Sequence, residues 1–172
     1  MNTFIQETQL SDSVILNSNI ITTNKVLDKD RLGLIPSELK VIFNSSYYRL
    51  GVLQDSLSLL NALNRITSYN FDIKYVISKL NTDLFNSLES GSIKKEYSLN
   101  EYKKFLKSNI ELSNINKVSD LLSRIFEINI ILFNIDNEAK LQCKSLNYLP
   151  YKRFTFIIIK NNNIDIIVHK EN

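Results

Sequence analysis

The strongest constraint on the fold is a change of hydrophobic period at Glu127. Before it, apolar residues recur at helical spacing: Leu57, Leu60 and Leu63 with Leu59 and Ile66 on the flank, then Phe71, Tyr75, Val76 and Leu80, then Leu84, Phe85 and Leu88 after Asn81. After it come short runs rich in β-branched residues, at 128–135, 154–160 and 164–169, bounded by Asn and Asp. Such runs suit buried strands. Residues 141–144 predict a weaker strand. The triplet Asn161-Asn162-Asn163 predicts a hairpin, because Asn tolerates positive φ. Helices first and strands last define an α+β chain: a helical N-terminal and central region packed on a small C-terminal sheet that ends in a hairpin.

Local signals refine this outline. Ser98-Leu99-Asn100-Glu101 has the pattern of a capping box, with Tyr102, Phe105, Leu106 and Ile110 behind it. Asn114 is placed to cap a further helix carrying Ile115, Val118, Leu121, Leu122 and Ile125. Ser90-Gly91-Ser92 is a break. Upstream, Pro36 suits the first turn of a short helix with Leu39, Ile42 and Phe43 on its apolar face. Residues 47–54 predict an extended segment in which Gly51 permits a bend or a close backbone approach. Residues 1–30 are polar and predict an extended arm, with one strand at Ile20-Ile21, ahead of a single domain over 31–172.

Composition removes several function classes. A chain of 172 residues can bury a core large enough to need no disulfide or metal staple. Cys143 is the one cysteine and His169 the one histidine, so neither a disulfide nor a zinc site is expected, and no cofactor is implied. A lone cysteine suits a reducing, cytoplasmic compartment. The N-terminus lacks the basic-then-apolar pattern of a secretory signal, and the apolar runs are too short to span a bilayer, so no membrane is expected. A net charge of +3 with interspersed signs is too weak to indicate nucleic acid by itself. No Gly-rich phosphate loop is present.

The stretch that carries chemistry is Gln54-Asp55-Ser56-Leu57-Ser58-Leu59-Leu60-Asn61-Ala62-Leu63: an extended segment, an Asp at the turn, then an apolar helix. A nucleophile at such a helix start gains from the macrodipole and free amides, which favour a thiolate and can donate to an oxyanion. The stretch resembles the motif of ovarian-tumour (OTU) type, papain-like cysteine proteases, in which Asp-Gly-Asn-Cys precedes the helix. Asp55 matches the Asp, Ser56 and Leu57 replace Gly and Asn, and Ser58 replaces the cysteine. The resemblance implies a catalytic His at the start of the last strand, where Ile164 and Asp165 stand instead. His169 lies some five residues later. Tyr48-Arg49-Leu50-Gly51-Val52 resembles the lead-in of degenerate OTU-like regions in large proteins of nucleocytoplasmic DNA viruses. The resemblance therefore implies a pseudo-protease with vestigial positions Asp55, Ser58, Ile164 and Asp165, binding a ubiquitin-like protein or a virion component.

Three readings stay open at this point. Asp55 and Ser58 also fit an ordinary helix N-cap pair. An active ubiquitin-type hydrolase would need Ser58 as nucleophile with His169 as base. A nucleic-acid-associated structural protein would use the clusters Lys94-Lys95, Lys103-Lys104-Lys107 and Lys152-Arg153 interleaved with Tyr97, Tyr102 and Tyr151, although Glu101 and Glu111 flank the middle cluster.

Overall fold

The computed structural model describes residues 20–23, 25–88, 93–136, 142–145 and 148–169, with 142–145 described by backbone alone. The strands are β1 (Leu32–Leu34), β2 (Tyr47–Gly51), β3 (Asn129–Asn134), β4 (Gln142–Ser145), β5 (Phe154–Lys160) and β6 (Asn163–His169). Between β2 and β3 lie the helices α1 (Ser58–Thr67), α2 (Ile73–Lys79), α3 (Thr82–Ser87), α4 (Ile93–Glu96), α5 (Leu99–Asn109) and α6 (Ile115–Phe126). The chain is α+β, as its two periods require.

The sheet is larger than the C-terminal runs alone suggest. Its order is β1-β2-β6-β5-β3-β4, with β3 and β5 parallel and every other neighbouring pair antiparallel. Two strands thus come from before the helices. The physical reason lies in β6, which is buried on both faces. A terminal hairpin would leave the outer edge of this strand unpaired, and β2 fills that edge from Tyr47↔His169 to Gly51↔Asp165. The hairpin itself turns at Asn161 and Asn162, whose φ values of 49° and 58° are the left-handed pair that a two-residue loop requires.

One face of the sheet carries the helices. Leu59, Leu63, Leu121 and Leu122 meet Ile130, Ile157, Ile164 and Ile166 in the main core. Side-chain caps set several helix starts. Asp72 accepts from the Tyr75 amide, Asn81 accepts from the Leu84 amide, and Ser98 and Glu101 form the reciprocal box. Asn81 therefore starts a new helix rather than interrupting one. Asn114 occupies the cap position of α6, but its side chain makes no capping bond; a 3-10 turn over Leu112–Asn114 leads into the helix instead.

The opposite face carries the segment before β2. Only Ser37–Leu39 winds as a 3-10 turn, and Ile42 is 53% exposed, so the expected helix face reduces to Leu39 and Phe43. Phe43 sits edge-on among Tyr47, Phe133 and Phe156 at 5.2, 5.6 and 5.2 Å. Of the arm, residues 1–19 lie outside the described residues. Ile21 makes two backbone hydrogen bonds to β1, at Leu32 and Leu34, and Leu27 is fully buried. No helix of the described residues is long and apolar enough to cross a membrane.

Gly51 shows how closely the arm lies on the sheet. A Cβ there would stand 2.1 Å from the Asp28 carbonyl oxygen and 2.7 Å from Leu27 Cβ. The close backbone approach anticipated at this glycine is thus real, and its partner is the arm. Gly51→Ala should destabilise the chain by about 1–3 kcal/mol, as overpacking does. Chemical denaturation measures the loss, and limited proteolysis should show cleavage within residues 20–30 rising in the variant.

Candidate functional site

The turn between β2 and α1 is built by the side chains of Asp55 and Asn61. Asp55 Oδ1 accepts from the Leu57 amide at 2.7 Å and from Asn61 Nδ2 at 2.9 Å. Asn61 Nδ2 also donates to the Leu53 carbonyl at 3.2 Å. The Asp55 carbonyl accepts from the Ser58 amide at 3.1 Å. Asp55 therefore shapes the turn through side chain and backbone together. Ser58 is the first residue of α1 and is 5% exposed.

Gln54 fixes this turn to the last strand. The β2–β6 ladder ends at Gly51↔Asp165, so Ile164 lies one residue beyond it. Gln54 Nε2 donates to the Ile164 carbonyl at 2.5 Å and to the Val52 carbonyl at 3.0 Å, while its Oε1 accepts from the Ile164 amide at 2.9 Å. A side-chain amide thus replaces the missing strand residue. The result holds the turn at Asp55, and with it the start of α1, at the end of the sheet where Ile164 lies.

Ile164 itself is fully buried in the main core. The other anticipated positions lie elsewhere. Asp165 points to the opposite face of β6, where its Oδ2 accepts from Arg49 Nη1 at 2.8 Å. His169 is at the far end of β6, five steps or about 17 Å along the strand from Ile164, with its ring 4.9 Å from Tyr47. The pairing of Ser58 with His169 is not formed.

Arg49 was visible in the sequence only as part of the lead-in, yet among the described residues it is one of the largest fully buried side chains. Its Nε donates to the Leu34 carbonyl at 2.8 Å, Nη1 to the Lys25 carbonyl at 3.2 Å and Nη2 to the Thr23 carbonyl at 2.9 Å. An Arg between apolar neighbours on a strand was the available signal. Gln54 had none, since its role depends on where β2 stops.

The surface patch is also reassigned. Tyr102 is fully buried, its hydroxyl donates to the Lys117 carbonyl at 2.5 Å, and burial pushes its phenol well above the usual range. It cannot interleave with surface lysines. Lys152 bonds Glu127 at 2.6 Å, and Lys94 donates to the Asn86 carbonyl at 2.9 Å. Cys143 lies on the edge strand β4; its side chain is outside the described residues. Among the described residues no cluster of three or more His, Cys, Asp or Glu side chains is placed to hold a metal ion.

The fold and site define an α+β domain in which a helix start docks on the first residues of a hairpin strand. In structure the chain is similar to the OTU domain of OTUD1, at a TM-score of 0.49 and 12% identity, over 76% of this chain and 91% of that one. No protein-family model and no curated protein matches it.

Two measurements test this site. Gln54→Ala leaves the amide and carbonyl of Ile164 unpaired, and should cost about 1–3 kcal/mol in chemical denaturation. Asp165 is held by a single hydrogen bond; its Oδ1 is buried with no partner, and burial outweighs the pull of Arg49 to raise its carboxyl to about 6 from an ordinary 3.8. The folded state therefore binds the extra proton between the two values, and this stabilising contribution is full below about pH 4 and lost as pH rises through about 6. The stability of the wild type relative to Asp165→Asn should fall over that window by on the order of 2–3 kcal/mol. The carboxyl carbon should titrate near pH 6 by NMR.

Proposed function

We propose that this chain is a catalytically inert OTU-like module that binds a protein partner. The observation that carries the reading is the turn at the start of α1. A nucleophile there would need nearby backbone amides aimed at a substrate oxyanion. The amides of Leu57 and Ser58 are instead both committed to Asp55, through its side chain and its carbonyl. At the position where the resemblance calls for a catalytic His stands Ile164, which can neither take nor return a proton. A serine hydroxyl without a general base is a poor nucleophile at neutral pH.

The partner class we assign is a ubiquitin-like protein or a component of a virion. The viral assignment rests on Tyr48-Arg49-Leu50-Gly51-Val52, whose Arg49 and Gly51 both serve to seat the arm.

The test pairs turnover with binding. A fluorogenic ubiquitin substrate and a ubiquitin carrying a C-terminal electrophile should give neither release nor adduct, for wild type and Ser58→Ala alike. Ubiquitin titrated into the labelled chain should perturb resonances at the end of the sheet near Leu53 and Asn61. Substrate cleavage that Ser58→Ala abolishes would overturn the proposal and restore the hydrolase reading. Silence on titration would remove ubiquitin and leave the virion partner.

A further inference from the structure

Three aromatic rings form a column on the helical side of the molecule. Tyr69 and Phe71 stack at 4.7 Å and 23°, and Phe71 and Tyr75 at 3.9 Å and 9°. Phe71 is tied to the core by a tilted contact with Phe126 at 5.5 Å. Lys79 Nζ closes the Tyr75 end, 5.1 Å from the ring centroid. At the other end nothing comparable closes the column: Tyr69 is 56% exposed, and among the described residues no second ring or cation covers it.

Two clefts meet at Tyr69. One, of about 410 Å³, runs between the arm turn at Lys29 and the polar side of α1 at Asn61, Asn64 and Arg65. The other, of about 460 Å³, leads past Tyr75 to Tyr151, Lys152 and Arg153. Tyr151 is fully exposed, in the left-handed region at φ 62°. The acidic groups in the clefts are already paired, Asp30 with Arg65 and Glu127 with Lys152. Among the described residues no carboxylate pairs with Arg153. Each cleft is left with a net positive charge.

We propose that Tyr69 is a stacking platform for the bases of a single-stranded nucleic acid whose phosphates run past Arg153. A base continues the ring column on its open face, as stacking requires only a π-surface. The strand supplies the negative charge that the clefts lack. A duplex hides its base faces inside the stack, and an acidic peptide would satisfy the cations while leaving the ring uncovered. The platform of Tyr69 with Arg153 uses none of Asp55, Ser58 or Ile164, and only the first cleft shares Asn61 with the end of the sheet.

The test is fluorescence anisotropy with the whole chain and a labelled mixed-sequence single strand of about a dozen nucleotides, within the site sizes of single-strand binders. Binding should weaken as salt rises. Tyr69→Ala should weaken it by about fivefold or more, Tyr69→Phe should retain it, and Arg153→Gln should lower the salt slope by about one. Tyr69 is surface-exposed, and thermal melting confirms that the variants fold. The proposal is overturned by no binding at low salt, by equal affinity for single strand, duplex and polyglutamate, or by indifference to Tyr69→Ala.

Discussion

A guanidinium withdrawn from water costs several kcal/mol unless its donors and its charge are met by the protein. Arg49 is met by four hydrogen bonds. Three of its bonds go to backbone carbonyls of Thr23, Lys25 and Leu34, and the fourth goes to the Asp165 carboxylate. One side chain thus joins the arm, an edge strand and the C-terminal hairpin across 116 residues of separation. The two glycines beside it make room. A Cβ at Gly33 would stand 3.0 Å from Arg49 Nη2, and one at Gly51 would strike the backbone of Asp28. The sheet, the arm and the buried charge are therefore a single solution to one solvation problem.

The helix start at Ser58 follows from this closure. Where β2 ends, Gln54 continues the ladder with its carboxamide, and Asp55 turns the chain into α1. The amides of Leu57 and Ser58 and the carboxamide of Gln54 are spent on holding the sheet's end together. A helix start against a strand needs no more than this, whereas a catalytic turn needs donors left unsatisfied until the transition state arrives.

What could be read from the sequence was local. The hairpin over Asn161 and Asn162, the box at Ser98 and Glu101, and the buried strand Asn129–Asn134 each carry their own chemistry in consecutive residues. The membership of β1 and β2 in the sheet was hidden, because β1 pairs on β2 and the edge that β2 fills belongs to β6, more than a hundred residues away. Around Pro36 a helix was expected, but the apolar residues are too few to offset the cost of nucleation, and Val41 stays 88% exposed. Of the site, Asp55 and Ser58 were legible as a turn and a helix start. Gln54 was not, since its meaning depends on the register of a ladder. Tyr102 misled for a related reason: its spacing fitted both a surface patch and the core stripe with Phe105 and Leu106 that it joins.

The arm's attachment has a consequence for how such a chain drifts. Arg49 recognises the carbonyls of Thr23 and Lys25, not their side chains. The path of the arm is fixed while the letters written on it are nearly free, with Leu27 as the buried exception. Two such chains could share the same strap over the same strand and show no trace of it in an alignment. What would survive comparison is the receiving side: an arginine between hydrophobic neighbours, and a glycine two residues on.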